Sequence, residues 1–109
     1  MDWKAQIESE LEKAQEARAR GNEGRARVCA RRAAGIAARE YLERQGVRPS
    51  SVSAYDLLNL LKEDSRLSAN LKSIAEHLTL RVTEEFKLPV DADLIAEART
   101  FCEDLIRAK

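Results

Sequence analysis

Few side chains in this sequence of 109 residues have chemistry that could serve a catalytic or metal site. The one histidine, His77, has no nearby serine or cysteine nucleophile pattern and no histidine, cysteine or aspartate at metal-ligand spacing, so the sequence indicates neither a catalytic triad nor a metal centre. We expect His77 on a solvated helix edge. Cys29 and Cys102 lie in apolar helical patterns without CxxC or CxxH spacing, as in a reduced, cytoplasmic protein. No cofactor is implied.

Arginine is the side chain that dominates one segment, from Gly21 to Gly46. Residues 18–48 contain nine arginines and three glutamates, whereas the segments before and after them are acidic and bring the net charge of the chain to zero. A basic helix face can neutralise phosphates, but aromatic side chains that stack on bases are missing from this one. Basic and acidic helices can equally complement each other within one fold. The candidate contacts to an anion or RNA are Arg25, Arg27, Arg31, Arg32 and Arg39.

Two apolar strips run along this arginine-rich segment when it is placed on a helical wheel. The wider strip predicts a core face of small residues: Ala26, Cys29, Ala30, Ala33, Ile36, Ala37 and Tyr41. The narrower strip has a heptad spacing and consists of Val28, Gly35 and Leu42, with arginines on both sides. This seam has two interpretations that the sequence leaves open: it docks a partner or a second copy of the chain, or it is filled by neighbouring helices of its own chain.

Glu40 is a candidate buried polar residue, because it falls within the core arc of this helix. An unpaired carboxylate would be costly there. We therefore expect Glu40 either to pair with Arg44, one turn further on, or to lie at the edge of the core. A buried pair of this kind is most often structural, although a carboxylate in a cleft can also be functional.

Periodic apolar residues predict helices along the whole chain, and a composition rich in Ala, Leu, Glu and Arg also indicates a helical protein. The helices are expected over residues 2–20, 23–45 and 54–64, from Ser65 or Ser68 to about Leu88, and from an Asp91 cap to the C-terminus. Gly21 and Gly46 are expected to end the first two. The fold class is all-α: one domain, residues 1–109, forming an up-and-down bundle of four long helices and one short helix. No run of residues is long and apolar enough for a membrane span.

The order of these elements resembles the HEPN domain family. The resemblance rests on "GRARVCARRAAGIAAREYL" in the second helix, "SAYDLLNLLKE" in the short third helix and "LTLRVTEEFKLPVDADLIAEARTFCEDLI" at the end. It implies a helical bundle that forms a homodimer. Many members are ribonucleases with an arginine four to six residues before a histidine, but here the nearest upstream arginine, Arg66, lies eleven residues before His77. The resemblance therefore implies the fold and the dimer, not the nuclease.

We accordingly expect a HEPN-like interaction module without catalytic activity. Its expected partners are a second copy of the chain, together with a nucleotidyltransferase-like protein or RNA. The competing hypothesis is a degenerate ribonuclease, or a nucleotide- or RNA-binding protein of a toxin–antitoxin type of system. In that case the second-helix arginines, Glu40 and His77 would form a site across a dimer cleft.

Overall fold

The computed structural model describes residues 2–80 and 92–107, and within these ranges the chain forms five α-helices and no strand. The helices are α1 (Trp3–Ala19), α2 (Glu23–Arg44), α3 (Ala54–Lys62), α4 (Ala69–Thr79) and α5 (Leu94–Arg107). The all-α class predicted from the composition and the apolar periodicity is confirmed.

Glycines end the first two helices, as the sequence predicts. Gly21 has φ of 78° and Gly46 has φ of 79°, a left-handed conformation that glycine adopts without a steric penalty. After α1, the N–H of Asn22 donates to the carbonyl of Ala17 at 2.8 Å, and the corresponding bond after α2 measures 2.9 Å. Both ends are therefore Schellman motifs. Asn22 then accepts a hydrogen bond from the Arg25 N–H as the cap of α2, which makes α1 and α2 a tight hairpin.

Contacts at the helix ends show in which direction each helix runs relative to its neighbours. Arg18, at the end of α1, bonds Asp93, which precedes α5, so α1 and α5 are antiparallel. Arg44, at the end of α2, donates to the Ile106 carbonyl near the end of α5, so α2 and α5 are parallel. The end of α4 lies beside the first half of α2, so those two are antiparallel. Helices α1, α2, α4 and α5 thus alternate in direction, with α3 in the connection between α2 and α4.

Helix α2 is the centre of the described part of the bundle, because it contacts each of the other four helices. Its buried residues are Ala26, Cys29, Ala30, Ala33, Ala34, Gly35, Ala37, Ala38, Tyr41 and Leu42. The core face is therefore wider than the wheel predicts. Ala34 and Ala38 are fully buried although they lie outside the predicted arc, and Ile36, which was placed inside it, is only half-buried. Contact with four neighbours on several sides explains the wider burial.

Helix α4 is shorter than its apolar stripe predicts. It is capped by Ser68, whose hydroxyl accepts from the Leu71 N–H at 3.2 Å. It ends at Thr79, and Leu80 already has an extended backbone with ψ of 142°. The prediction of a helix up to Leu88 is therefore wrong at its end, and the rest of that stretch lies outside the described residues.

Helix α5 begins at Leu94, with its cap at Asp93. The Asp93 carboxylate accepts from the Ala96 N–H at 3.3 Å, and its carbonyl accepts from the Glu97 N–H at 2.9 Å. The cap predicted from the sequence, Asp91, lies outside the described residues. Asp93 has the same side chain and occupies the capping position, two residues later than expected.

Gly35 allows α2 and α3 to approach closely, and this contact can be tested. A Cβ added at Gly35 would lie 2.6 Å from the Cβ of Ala54 and 2.8 Å from its Cα, so α3 would have to shift. We predict that Gly35→Ala lowers the free energy of unfolding by about 1–3 kcal/mol despite the better helix propensity of alanine. Gly24→Ala is the matched control, since a Cβ there meets only Asn22 Oδ1 at 3.9 Å. Urea denaturation should show the control as stable as the wild type or more so.

Candidate interaction surface

The predicted seam on α2 is largely filled by the chain itself. Gly35 lies against Ala54 at the start of α3, and Leu42 is buried. Val28, at the other end of the seam, is 39% exposed. The structure therefore does not leave Val28, Gly35 and Leu42 as one exposed strip on which another chain could dock. Of the two interpretations that the sequence left open, contact within the chain applies to Gly35 and Leu42.

The five candidate arginines on α2 do not form one face. Arg27 and Arg31 are half-buried, and Arg31 Nε donates to the Leu78 carbonyl at 2.9 Å, at the C-terminal end of α4. Arg27 Nε is buried without a hydrogen-bond partner. Arg25, Arg32 and Arg39 are exposed, and Arg39 pairs with Glu43 at 3.1 Å within α2. Only part of the set thus faces solvent, and Arg31 cross-links the bundle instead.

Glu40 lies at the edge of the core and pairs with Arg44, whose Nε is 3.3 Å from Glu40 Oε1. The same guanidinium donates to the Ile106 carbonyl at 3.0 Å and lies 5.3 Å from the centre of the Trp3 ring. Arg44 thereby joins the first turn of α1 to the last turns of α2 and α5, and a cation at the end of α5 complements the helix dipole. These contacts give Glu40 a structural role.

The sequence predicts His77 on a solvated helix edge, but the structure places it between two helices. Its Nδ1 is 2.7 Å from Glu97 Oε1, and both side chains are about one-quarter exposed, so the pair joins α4 to α5. A histidine–carboxylate pair is one part of many acid–base sites. Neither cysteine adds a reactive thiol: both are buried, and burial raises the pKa of Cys102 to about 12. The arrangement therefore resembles a structural link more than a catalytic dyad.

Arg18 makes the densest set of ion pairs among the described residues. Its guanidinium is 2.7 Å from Glu23 Oε1 and 2.8 Å from Asp93 Oδ1, so one cation joins the end of α1 to the beginnings of α2 and α5. Hydrogen bonds from Arg18 hold the pKa of both carboxyls below the ordinary range, and the two carboxylates raise the pKa of Arg18. Both carboxylates also lie where the α2 and α5 dipoles favour negative charge.

Exposed apolar side chains concentrate in the connection between α2 and α3 and in α3 itself. The described residues include five exposed large hydrophobic side chains, and four of them fall between positions 47 and 60: Val47, Val52, Tyr55 and Leu60, the fifth being Val28. Val52 is the most exposed, at 74%. Clustered exposure of this kind marks an interaction surface more often than isolated apolar residues do.

Two adjoining concavities give this region its shape. The first has a volume of about 630 Å³ and is lined by Arg39, Glu43, Gly46, Val47, Arg48, Pro49 and Val52. The second has a volume of about 190 Å³ and is lined by Pro49, Ser50, Ser51, Asp56, Leu57 and Leu60. They meet at Pro49. We call the two concavities together the α2–α3 surface; apolar and charged side chains are mixed along it, with Arg48 in the first concavity and Asp56 in the second.

Sequence reasoning missed most of this surface, although it named Arg39. From this connection, the sequence prediction uses only Gly46, as the residue that ends α2. A signal was present: Val47 and Val52 are large apolar residues in a connection between helices, where polar residues are usual. Their exposure, however, depends on how α3 folds back against α2.

No protein-family model, no curated protein and no solved structure matches this chain. Within the described ranges, no group of histidine, cysteine, aspartate and glutamate side chains is arranged to hold a metal ion. In the same ranges, every helix falls short of the length or apolar character needed to cross a bilayer. The geometry of the α2–α3 surface is therefore the main guide to function.

The ion pairs of Arg18 predict how stability depends on pH. A lowered carboxyl pKa in the folded state adds stability that is present above the unfolded pKa and is lost as the pH falls through the folded pKa. We expect the wild type to lose stability below about pH 5, and Arg18→Ala to show a smaller loss because its stability is already reduced at neutral pH. Urea midpoints from neutral pH to about pH 3 would measure this.

Arg39→Ala is the matched control for Arg18→Ala, because it removes one exposed pair within a single helix. Its pH profile should follow that of the wild type. Equal flattening of the profile in both variants would contradict the role assigned to Arg18.

Proposed function

We propose that this protein is a HEPN-like helical interaction module without catalytic activity, and that it works as a homodimer formed through the α2–α3 surface. The observation that carries the proposal is the grouping of exposed Val47, Val52 and Leu60 around Pro49, where the two concavities meet. Burial of such side chains is the main driving force of protein association. The alternating directions of α1, α2, α4 and α5 are compatible with a HEPN-like bundle.

The chemistry-bearing side chains support an interaction role over an enzymatic one. His77 and Glu97 bond each other, Glu40 and Arg44 bond each other, and Cys102 is a buried thiol. These groups hold helices together, and none of them lines the concavities at Pro49. Exposed apolar side chains with charges of both signs suit a protein partner better than the uniformly negative phosphate backbone of RNA.

The absence of ribonuclease activity is a testable part of the proposal. We expect a labelled single-stranded RNA to remain intact with the wild type, His77→Ala and Arg39→Ala alike, because His77 and Arg39 are each held in a separate ion pair within the fold. Gel electrophoresis after prolonged incubation measures this. Cleavage by the wild type that disappears in either variant would overturn the non-catalytic proposal and favour the degenerate ribonuclease.

Self-association through the α2–α3 surface is tested by substituting its most exposed apolar residue. Light scattering over a concentration series should give the wild type a mass of two chains. Val52→Asp should weaken the dimer about a hundredfold, since removing one buried valine per subunit costs roughly 3 kcal/mol in total. The free chain should stay folded, because Val52 is already in solvent there.

Val28→Asp is the matched control. Val28 is also an exposed valine, but it belongs to the α2 seam and not to the α2–α3 surface. Its dimer should be as tight as that of the wild type. Dissociation by Val28→Asp and not by Val52→Asp would assign the interface to the exposed end of the seam. A monomeric wild type at high concentration would contradict the homodimer.

A further inference from the structure

The charges of the α2–α3 surface are arranged so that the surface can complement itself. Arg48 lines the first concavity, Asp56 lines the second, and Pro49 belongs to both. A cation therefore lines one concavity, and an anion lines the concavity that adjoins it at Pro49. Both side chains are exposed, and neither forms an ion pair within the described ranges. By contrast, the first concavity's other charged residues, Arg39 and Glu43, already pair with each other.

From this arrangement, and resting on the proposed homodimer, we infer that a two-fold axis passes close to Pro49 and that Arg48 of each subunit pairs with Asp56 of the other. In an isologous contact each residue pair occurs twice, so a surface with one cation and one anion on opposite sides of the axis satisfies both charges at once. Val52 lines the first concavity, so the same axis places it against the second concavity of the other copy. The two subunits thus contribute both the projection and the recess.

Local structure restricts the backbone of both charged residues before association. Asp56 is in the first turn of α3, where the helix dipole stabilises a carboxylate, and its N–H donates to the Ser53 hydroxyl that caps the helix. Arg48 directly precedes Pro49, and the proline ring restricts the residue before it to extended conformations. Because both backbones are restricted, less conformational entropy is lost on association.

A second copy is favoured over an unrelated acidic or basic partner by the balance of these charges. A strongly acidic segment would meet Arg48 but would be repelled by Asp56, and a basic segment would have the opposite difficulty. A partner must therefore carry both signs at matching positions. The α2–α3 surface itself does.

Charge reversal tests the reciprocal pairs. We expect Arg48→Asp and Asp56→Arg each to raise the dimer Kd about tenfold or more, because each replaces two attractive contacts with two repulsive ones. The double variant R48D/D56R should return to within about threefold of the wild type, since it exchanges the partners and keeps both pairs. Sedimentation velocity over a concentration series measures the four constants, and circular dichroism checks that each variant is folded.

Mixing the two single variants gives an independent arm. Arg48→Asp has two acids at these positions and Asp56→Arg has two bases, so each repels itself and attracts the other. An equimolar mixture should form a heterodimer about as tight as the wild-type dimer. If a reversal impairs folding, the neutral variants R48Q and D56N carry the test, and each should raise the Kd about threefold.

Glu103→Arg is the matched control, because Glu103 is an exposed charge in the groove between α1 and α5. Its dimer should match the wild type. A wild-type dimer that is insensitive to both reversals, a mixture without heterodimer, or an equal effect of Glu103→Arg would each overturn the reciprocal pairs while leaving self-association in place. A monomeric wild type would overturn both the pairs and the proposed homodimer.

Discussion

The close packing of other helices against α2 is the constraint on which the described structure depends. Seven of the ten buried residues of α2 are alanine or glycine, so neighbouring backbones can approach it on several sides. Cys102 Sγ of α5 lies 3.5 Å from the Ala33 carbonyl oxygen, and Ala54 of α3 packs directly on Gly35. The larger apolar side chains come from the other helices, including Phe101, Leu11 and Leu58. Small residues in the middle and large ones around them allow the core to pack closely.

Much of the positive charge of α2 and its neighbours serves this packing. Arg31 and Arg44 bond carbonyls near the C-terminal ends of α4 and α5, and Arg18 joins two carboxylates at the N-terminal ends of α2 and α5. Each side chain places its charge, or that of its partner, where a helix dipole favours it. Some of the arginines in the basic middle of the sequence, and some of the acidic residues in its flanks, thus serve contacts within the chain. Arg48 and Asp56 lie outside these contacts.

Sequence reasoning succeeded where the determining interactions are local. The glycine ends of α1 and α2, the Ser68 cap of α4 and the Glu40–Arg44 pair all join residues within five positions of each other. It was less accurate where tertiary packing determines which residues are buried. The wheel placed Ile36 in the core and left out Ala34 and Ala38, because a wheel has no information on how many neighbours surround a helix.

By itself, the sequence determined that the chain is all-α and where most helices begin. It also determined which face of α2 carries small side chains. Both follow because turn chemistry and apolar periodicity act over a few residues. The tertiary structure decided that Ala54 fills the seam at Gly35, that His77 meets Glu97, and that Val47, Val52 and Leu60 stay exposed around Pro49. These outcomes depend on how separate helices are brought together. Spacing within one helix carries no record of which distant segment will cover a given residue.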